Sequence, residues 1–200
     1  AGACGLCAAL AVGGAVPSAR PSAPVAPAPA APAWPVRDGD VVLRGGAGLW
    51  SAAFARLNTR DRRFSHAGVV VSTPAGWQVL HAQADDLGRH GRVRLDPWGE
   101  FAAAPALALL RADDPGVGAR TAQAAWAVHA RAAGFDLDFD LGDARRVYCT
   151  ELVWLALREA LGADPLPHKP VVRGRPAVLT DNLLFDVPAL RRVEASAAGE

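Results

Sequence analysis

Residues 147–161 read VYCTELVWLALREAL, and this stretch decides the fold. Leu152, Val153, Ala156, Leu157, Ala160 and Leu161 fall at helical spacing and make one wide apolar stripe, and Gly162 follows as a stop signal. The spacing predicts a buried helix over 149–161 with Cys149 at its start. A helix N-terminus offers unpaired N–H groups and partial positive charge, which favour a thiolate. The same N–H groups can bind the oxyanion that forms when a carbonyl is attacked. The position also suits a buried structural thiol, because free cysteine is among the most buried residue types. A base within reach separates the two readings.

Upstream, residues 64–71 read FSHAGVVV and residues 77–82 read WQVLHA, with Ser-Thr-Pro-Ala-Gly between the two apolar runs. Two such runs around a Pro/Gly turn predict a β-hairpin over 67–71 and 77–82. His66 opens the first strand and His81 closes the second, so the reversal sets them side by side at one rim of a sheet. In that arrangement one imidazole takes a thiol proton and the other orients it. Either histidine alone also reads as a hydrogen-bonded surface residue. His129 falls on an expected helix, and His90 and His168 fall in Gly- or Pro-rich loops; all three read as ordinary.

Around this centre the chain is organised as one domain. Residues 1–16 are small and apolar and 17–35 are almost only Pro, Ala and Ser. They read as a secretory leader and an extended spacer, which implies export to the periplasm or cell envelope. The basic start of a signal is missing and the sequence has no Met, so the chain reads as truncated or processed. A globular domain is expected over 36–193, with 194–200 as a tail. Strands are expected at Val41–Leu43, Arg92–Leu95 and Ala106–Leu110, and helices at 48–58 and 119–133. The Pro- and Arg-rich C-terminal forty residues read as a wrapping tail. The class is α+β, a small antiparallel sheet packed against helices.

Composition excludes several functions. Lys and Arg number 21 against 20 Asp and Glu, which leaves no electrostatic footprint for nucleic acid. Three cysteines, two of them in the leader as Cys4-x-x-Cys7, exclude a disulfide framework for the domain and leave any zinc site half built. Asp136, Asp138 and Asp140 alternate like a calcium loop, but Leu141 and Val147 stand where Gly and Glu are required. A half-buried extended segment over 135–141 is the better reading. Gly45-Gly46-Ala47-Gly48 lacks the Lys and Ser/Thr of a phosphate loop. No metal or cofactor is expected.

Taken in order, GDVVLRGG (39–46), FSHAGVVV, VLHA (79–82), GFDLDFD (134–140), VYCTELVW (147–154) and VLTDNLLFDVPAL (178–190) resemble the YiiX/YebB-like cysteine hydrolases. These are the circularly permuted branch of the NlpC-type, papain-like cell-wall hydrolases, in which the His-bearing sheet precedes the Cys-bearing helix. The resemblance implies a permuted papain-like domain. It makes Cys149 the nucleophile, His66 the general base and His81 the third polar residue, a place the branch often gives to a carboxylate. It puts Ser65 and Tyr148 along the cleft, Tyr148 reading equally as a core aromatic, while Glu151 and Asp40 read as structural. The implied activity is hydrolysis of amides through an acyl-enzyme. The implied partner is a peptide of the peptidoglycan or a lipid-like amide, met at the cell wall or a membrane surface. Two alternatives remain open: lipid acyl transfer or phospholipase chemistry, whose enzymes share the permuted order, and a non-catalytic envelope protein that keeps the fold and binds lipid or peptide.

Overall fold

The structure is a computed structural model, and it describes residues 34–46, 49–85, 91–132, 134–143 and 145–195. The leader with Cys4 and Cys7, the loop carrying His90 and the last five residues of the tail lie outside the described residues. In chain order the elements are β1 (Val41–Arg44), α1 (Leu49–Leu57), β2 (His66–Thr73), β3 (Gly76–Ala84), β4 (Gly91–Pro97), α2 (Trp98–Ala102), β5 (Leu107–Ala112) and α3 (Pro115–Arg131). There follow β6 (Gly134–Phe135), β7 (Arg146–Val147), α4 (Cys149–Leu161), β8 (Val171–Val172), β9 (Arg175–Pro176), α5 (Thr180–Phe185) and β10 (Leu190–Val193).

Six strands form one antiparallel sheet in the order β10-β5-β1-β2-β3-β4. Alternation along each strand gives the sheet two apolar faces. Val41, Leu43, Ala67, Val69, Leu80, Ala82 and Val93 point toward Leu152, Val153, Ala156 and Leu157 of α4 and Ala125 and Val128 of α3. On the reverse face Val42, Val70, Val79 and Leu109 pack against Phe101 of α2, with Trp34, Val36 and Trp98 over them. The α+β class is therefore seen, in a sheet larger than the expected small one.

The expected α4 appears over 149–161, ended by Gly162 in the left-handed conformation at φ 69°. α3 begins four residues earlier than expected, because the Asp114 carboxylate accepts from the Gly116 N–H and Pro115 suits a first helical position. Asp40 is structural as read: its carboxylate accepts 2.8 and 2.7 Å bonds from the Arg111 guanidinium and a 2.8 Å bond from the Arg37 N–H.

Two expectations fail, and one element is new. The C-terminal stretch is not only a wrapping tail: α5 docks at the head of α4, and β10 becomes an edge strand beside β5. Its Pro and Arg content hid a short strand whose partner lies some eighty residues away. The extended reading of 135–141 ends after Phe135, where the Asp136 carboxylate accepts from the N–H groups of Asp138 and Asp140 and turns the chain, with Phe139 at φ 55°. The one-turn helix α2 was not foreseen, since five residues are too few for a periodic signal.

Candidate active site

Cys149 is the first residue of α4 and is 5% exposed. β2 pairs with β1 from His66 onward, but its ladder with β3 starts only at Val69. Ala67 therefore precedes that ladder, and its N–H falls beside the Cys149 sulfur together with the N–H groups of Thr150 and of Cys149 itself. The nucleophile candidate thus sits where β2 opens away from β3, next to the residue that follows His66.

His66 and His81 meet as the hairpin reading expected. His66 Nε2 lies 2.9 Å from His81 Nδ1, and the rings stand edge to face with centroids 4.9 Å apart. A third group that the sequence reading missed stands behind them. His81 Nε2 lies 2.9 Å from Asp96 Oδ2, and Arg94 holds the other carboxylate oxygen through its Nε at 2.7 Å. The missed signal is alternation: Val93 and Leu95 face the helices, so Asp96 faces the other way, toward the histidines. The strand expected at Arg92–Leu95 stops one residue short of Asp96, which lies within β4 (Gly91–Pro97).

This chain of contacts assigns the protons. A carboxylate only accepts, so His81 Nε2 carries hydrogen and donates to Asp96. His81 Nδ1 is then a lone pair, and it accepts from His66 Nε2–H. His66 Nδ1 is left as a lone pair, with no hydrogen-bond partner among the described residues. That is the nitrogen able to take a proton. Its surroundings favour the neutral form: burial first, then the neighbouring His81 and the Arg44 cation, hold His66 well below the usual imidazole range. Burial likewise lowers His81 to about 4 against the opposing pull of Asp96.

The thiol departs from expectation. Burial pushes Cys149 up to about 11, more than the three surrounding N–H groups and Arg44 recover. The resting site therefore holds a thiol beside a neutral imidazole pair rather than the thiolate expected from the helix terminus. No hydrogen bond joins Cys149 to His66 in this structure, among the described residues.

Ser65 and Tyr148 both line a narrow pocket with Cys149, Phe54, Phe139 and Thr180, about 10 Å³ in volume and so room for one water. Their polar atoms serve the fold. The Ser65 hydroxyl accepts from the Gly46 N–H at 3.0 Å and bonds to the Ser51 hydroxyl. The Tyr148 hydroxyl accepts from the Val178 N–H at 2.8 Å, and its ring packs edge to face on Phe139. Glu151 caps α4 by accepting from the Tyr148 N–H at 3.2 Å, and burial, with Asp136 nearby, raises it to about 8.

No family model matches the chain, and no curated protein matches it. Among solved structures it is similar to the crystal structure of the metalloprotein yiiX from Escherichia coli O157:H7, DUF1105. The two superpose with a TM-score of 0.60 over 82% of this chain and 99% of that one, at 21% sequence identity. The chain has the YiiX fold. That likeness is one of fold, and the chemistry is to be read from the site itself.

Proposed function

We propose that the protein is a cysteine hydrolase that cleaves amide bonds through a Cys149 acyl-enzyme. The observation that carries this reading is the His66–His81–Asp96 chain, which leaves one imidazole lone pair at the strand end where the Cys149 sulfur lies. As a substrate carbonyl approaches, His66 Nδ1 takes the thiol proton and the sulfur forms a bond to the carbonyl carbon. The oxyanion meets the N–H groups at the head of α4. The C–N bond then breaks and the amine leaves with the proton from His66. Water, deprotonated by the same nitrogen, attacks the thioester, releases the acid and restores the thiol.

The substrates proposed are peptides of the cell envelope or lipid-like amides, with export resting on the apolar leader. The metalloprotein label of the fold relative does not carry over. Both ring nitrogens of His81 are engaged, and no group of three His, Cys, Asp or Glu among the described residues fits a metal ion.

Hydrolysis of muropeptide amides and N-acyl amides, measured beside acyl-lipid esters, tests the reading. Cys149→Ala is expected to abolish turnover with the fold intact, and His66→Ala to lower kcat on the order of 10²-fold or more. Activity on lipid esters alone would move the assignment to acyl transfer. Unchanged activity in Cys149→Ala would end the cysteine mechanism.

A further inference from the structure

β1 ends at Arg44, directly across the ladder from His66. Its guanidinium lies over the Phe101 ring at 4.2 Å from the centroid, and its Nη1 donates to the Phe101 carbonyl at 3.4 Å. The same ring receives His81 at 4.9 Å and His66 at 5.6 Å between centroids. One aromatic plate thus carries the cation and both imidazoles.

This cation is unusual in what it lacks. No carboxylate pairs with it among the described residues, and its Nε is buried with no hydrogen-bond partner. Asp96 is near enough to be felt, yet its oxygens are taken by His81 and Arg94. Half-buried arginines are ordinarily paired, because an unpaired desolvated charge is costly. The charge also acts on the sulfur of Cys149. A guanidinium held flat on a ring presents a planar fork of N–H donors, the shape that matches a carboxylate or phosphate.

We propose that Arg44 is the anion-recognition group of this site, and that the substrate carries a carboxylate or phosphate beside its scissile carbonyl. The proposal deepens the hydrolase reading and rests on it only for the reaction that follows binding.

Two alkylating agents that differ in charge provide the test. Cys149 in the full chain is modified with iodoacetate and with iodoacetamide at one pH, and the rates are read at the Cys149 peptide by mass spectrometry. The ratio of the two rates cancels the thiolate fraction. Relative to free cysteine, the ratio should favour iodoacetate by about tenfold, the size of one charge-assisted contact. Arg44→Gln should return the ratio to that of free cysteine, and Arg44→Lys should keep part of the preference, with thermal melts confirming that both variants fold. An equal ratio in the native protein and Arg44→Gln overturns the proposal, as does an equal slowing of both reagents, which would make Arg44 only a partner of the sulfur. An N-acetyl dipeptide with a free carboxylate and glycerol 3-phosphate, used as protectants, distinguish the two anion sources. Protection lost in Arg44→Gln supports the proposal and names the source; protection by neither overturns it. Alkylation needs no turnover, so a protein that fails to hydrolyse amides can still show the Arg44 effect, and the reverse.

Discussion

Asp96 sets the direction of the protons along the histidine chain, its carboxylate bonded to His81 and Arg94. Its role is positioning, and its removal should be felt in kcat rather than KM. Asp96→Asn is expected to lower kcat on the order of 10²-fold, since an amide that keeps its oxygen toward Arg94 turns its NH2 to His81 and reverses the tautomer. A pH profile separates this from a loss of folding. In the native protein His81 protonates near 4 and burial holds His66 well below its ordinary value, so the acid limb of kcat/KM should fall well below the ordinary imidazole value of 6.5. Asp96 raises the His81 pKa, so its removal should move that limb lower again. Alkylation of Cys149 by iodoacetamide should climb toward pH 11 in the free protein, because burial holds the thiol protonated. An acid limb near 6.5, or fast labelling at neutral pH, would contradict this charge state. Cys149 and both histidines were legible in the sequence, since the helix start and the hairpin reversal are local signals. Asp96 and Arg44 were not, because their roles depend on which residues lie across the ladder.

At the scale of elements, the site depends on how β2 approaches β3 just past His66. A Cβ added at Gly68 would lie 2.5 Å from Val79 Cγ1 and 2.9 Å from the Leu80 carbonyl oxygen. The carbonyl belongs to the backbone and cannot swing aside, so the strands must part. Gly68→Ala is expected to cost about 1–3 kcal/mol in stability, read by denaturant melts. It should also lower turnover more than a core substitution of equal cost, because it separates the strands that carry His66 and His81. Normal activity at reduced stability would show that the histidine contact tolerates the shift.

Across the whole molecule two buried groups pull stability in opposite directions with pH. His81 is fully buried and titrates near 4 when folded, against 6.5 as its ordinary value. The unfolded chain therefore binds its proton first, and the His81 contribution is complete above 6.5 and lost as pH falls toward 4. The gap corresponds to about 3 kcal/mol. Glu151 titrates near 8 when folded, against 4.5. Its contribution is complete below 4.5 and is lost as pH rises toward 8. Melting temperature against pH should therefore pass through a maximum between these limits. Glu151→Gln should flatten the alkaline side and leave the acid side in place; an unchanged alkaline side would mean that Glu151 is not buried as the structure has it.

The amino-acid pattern by itself determined the helix behind Cys149, the hairpin that pairs His66 with His81, and the α+β class. Each follows from spacing within a few residues, where periodicity and turn chemistry act. Only the tertiary structure decided that the C-terminal segment joins the sheet, that Asp96 completes the proton chain and that Arg44 stands unpaired over Phe101. It also decided the charge state of the thiol. The helix terminus favours a thiolate, but packing under α5 and against β2 removes the water that would sustain one, and desolvation is the larger effect.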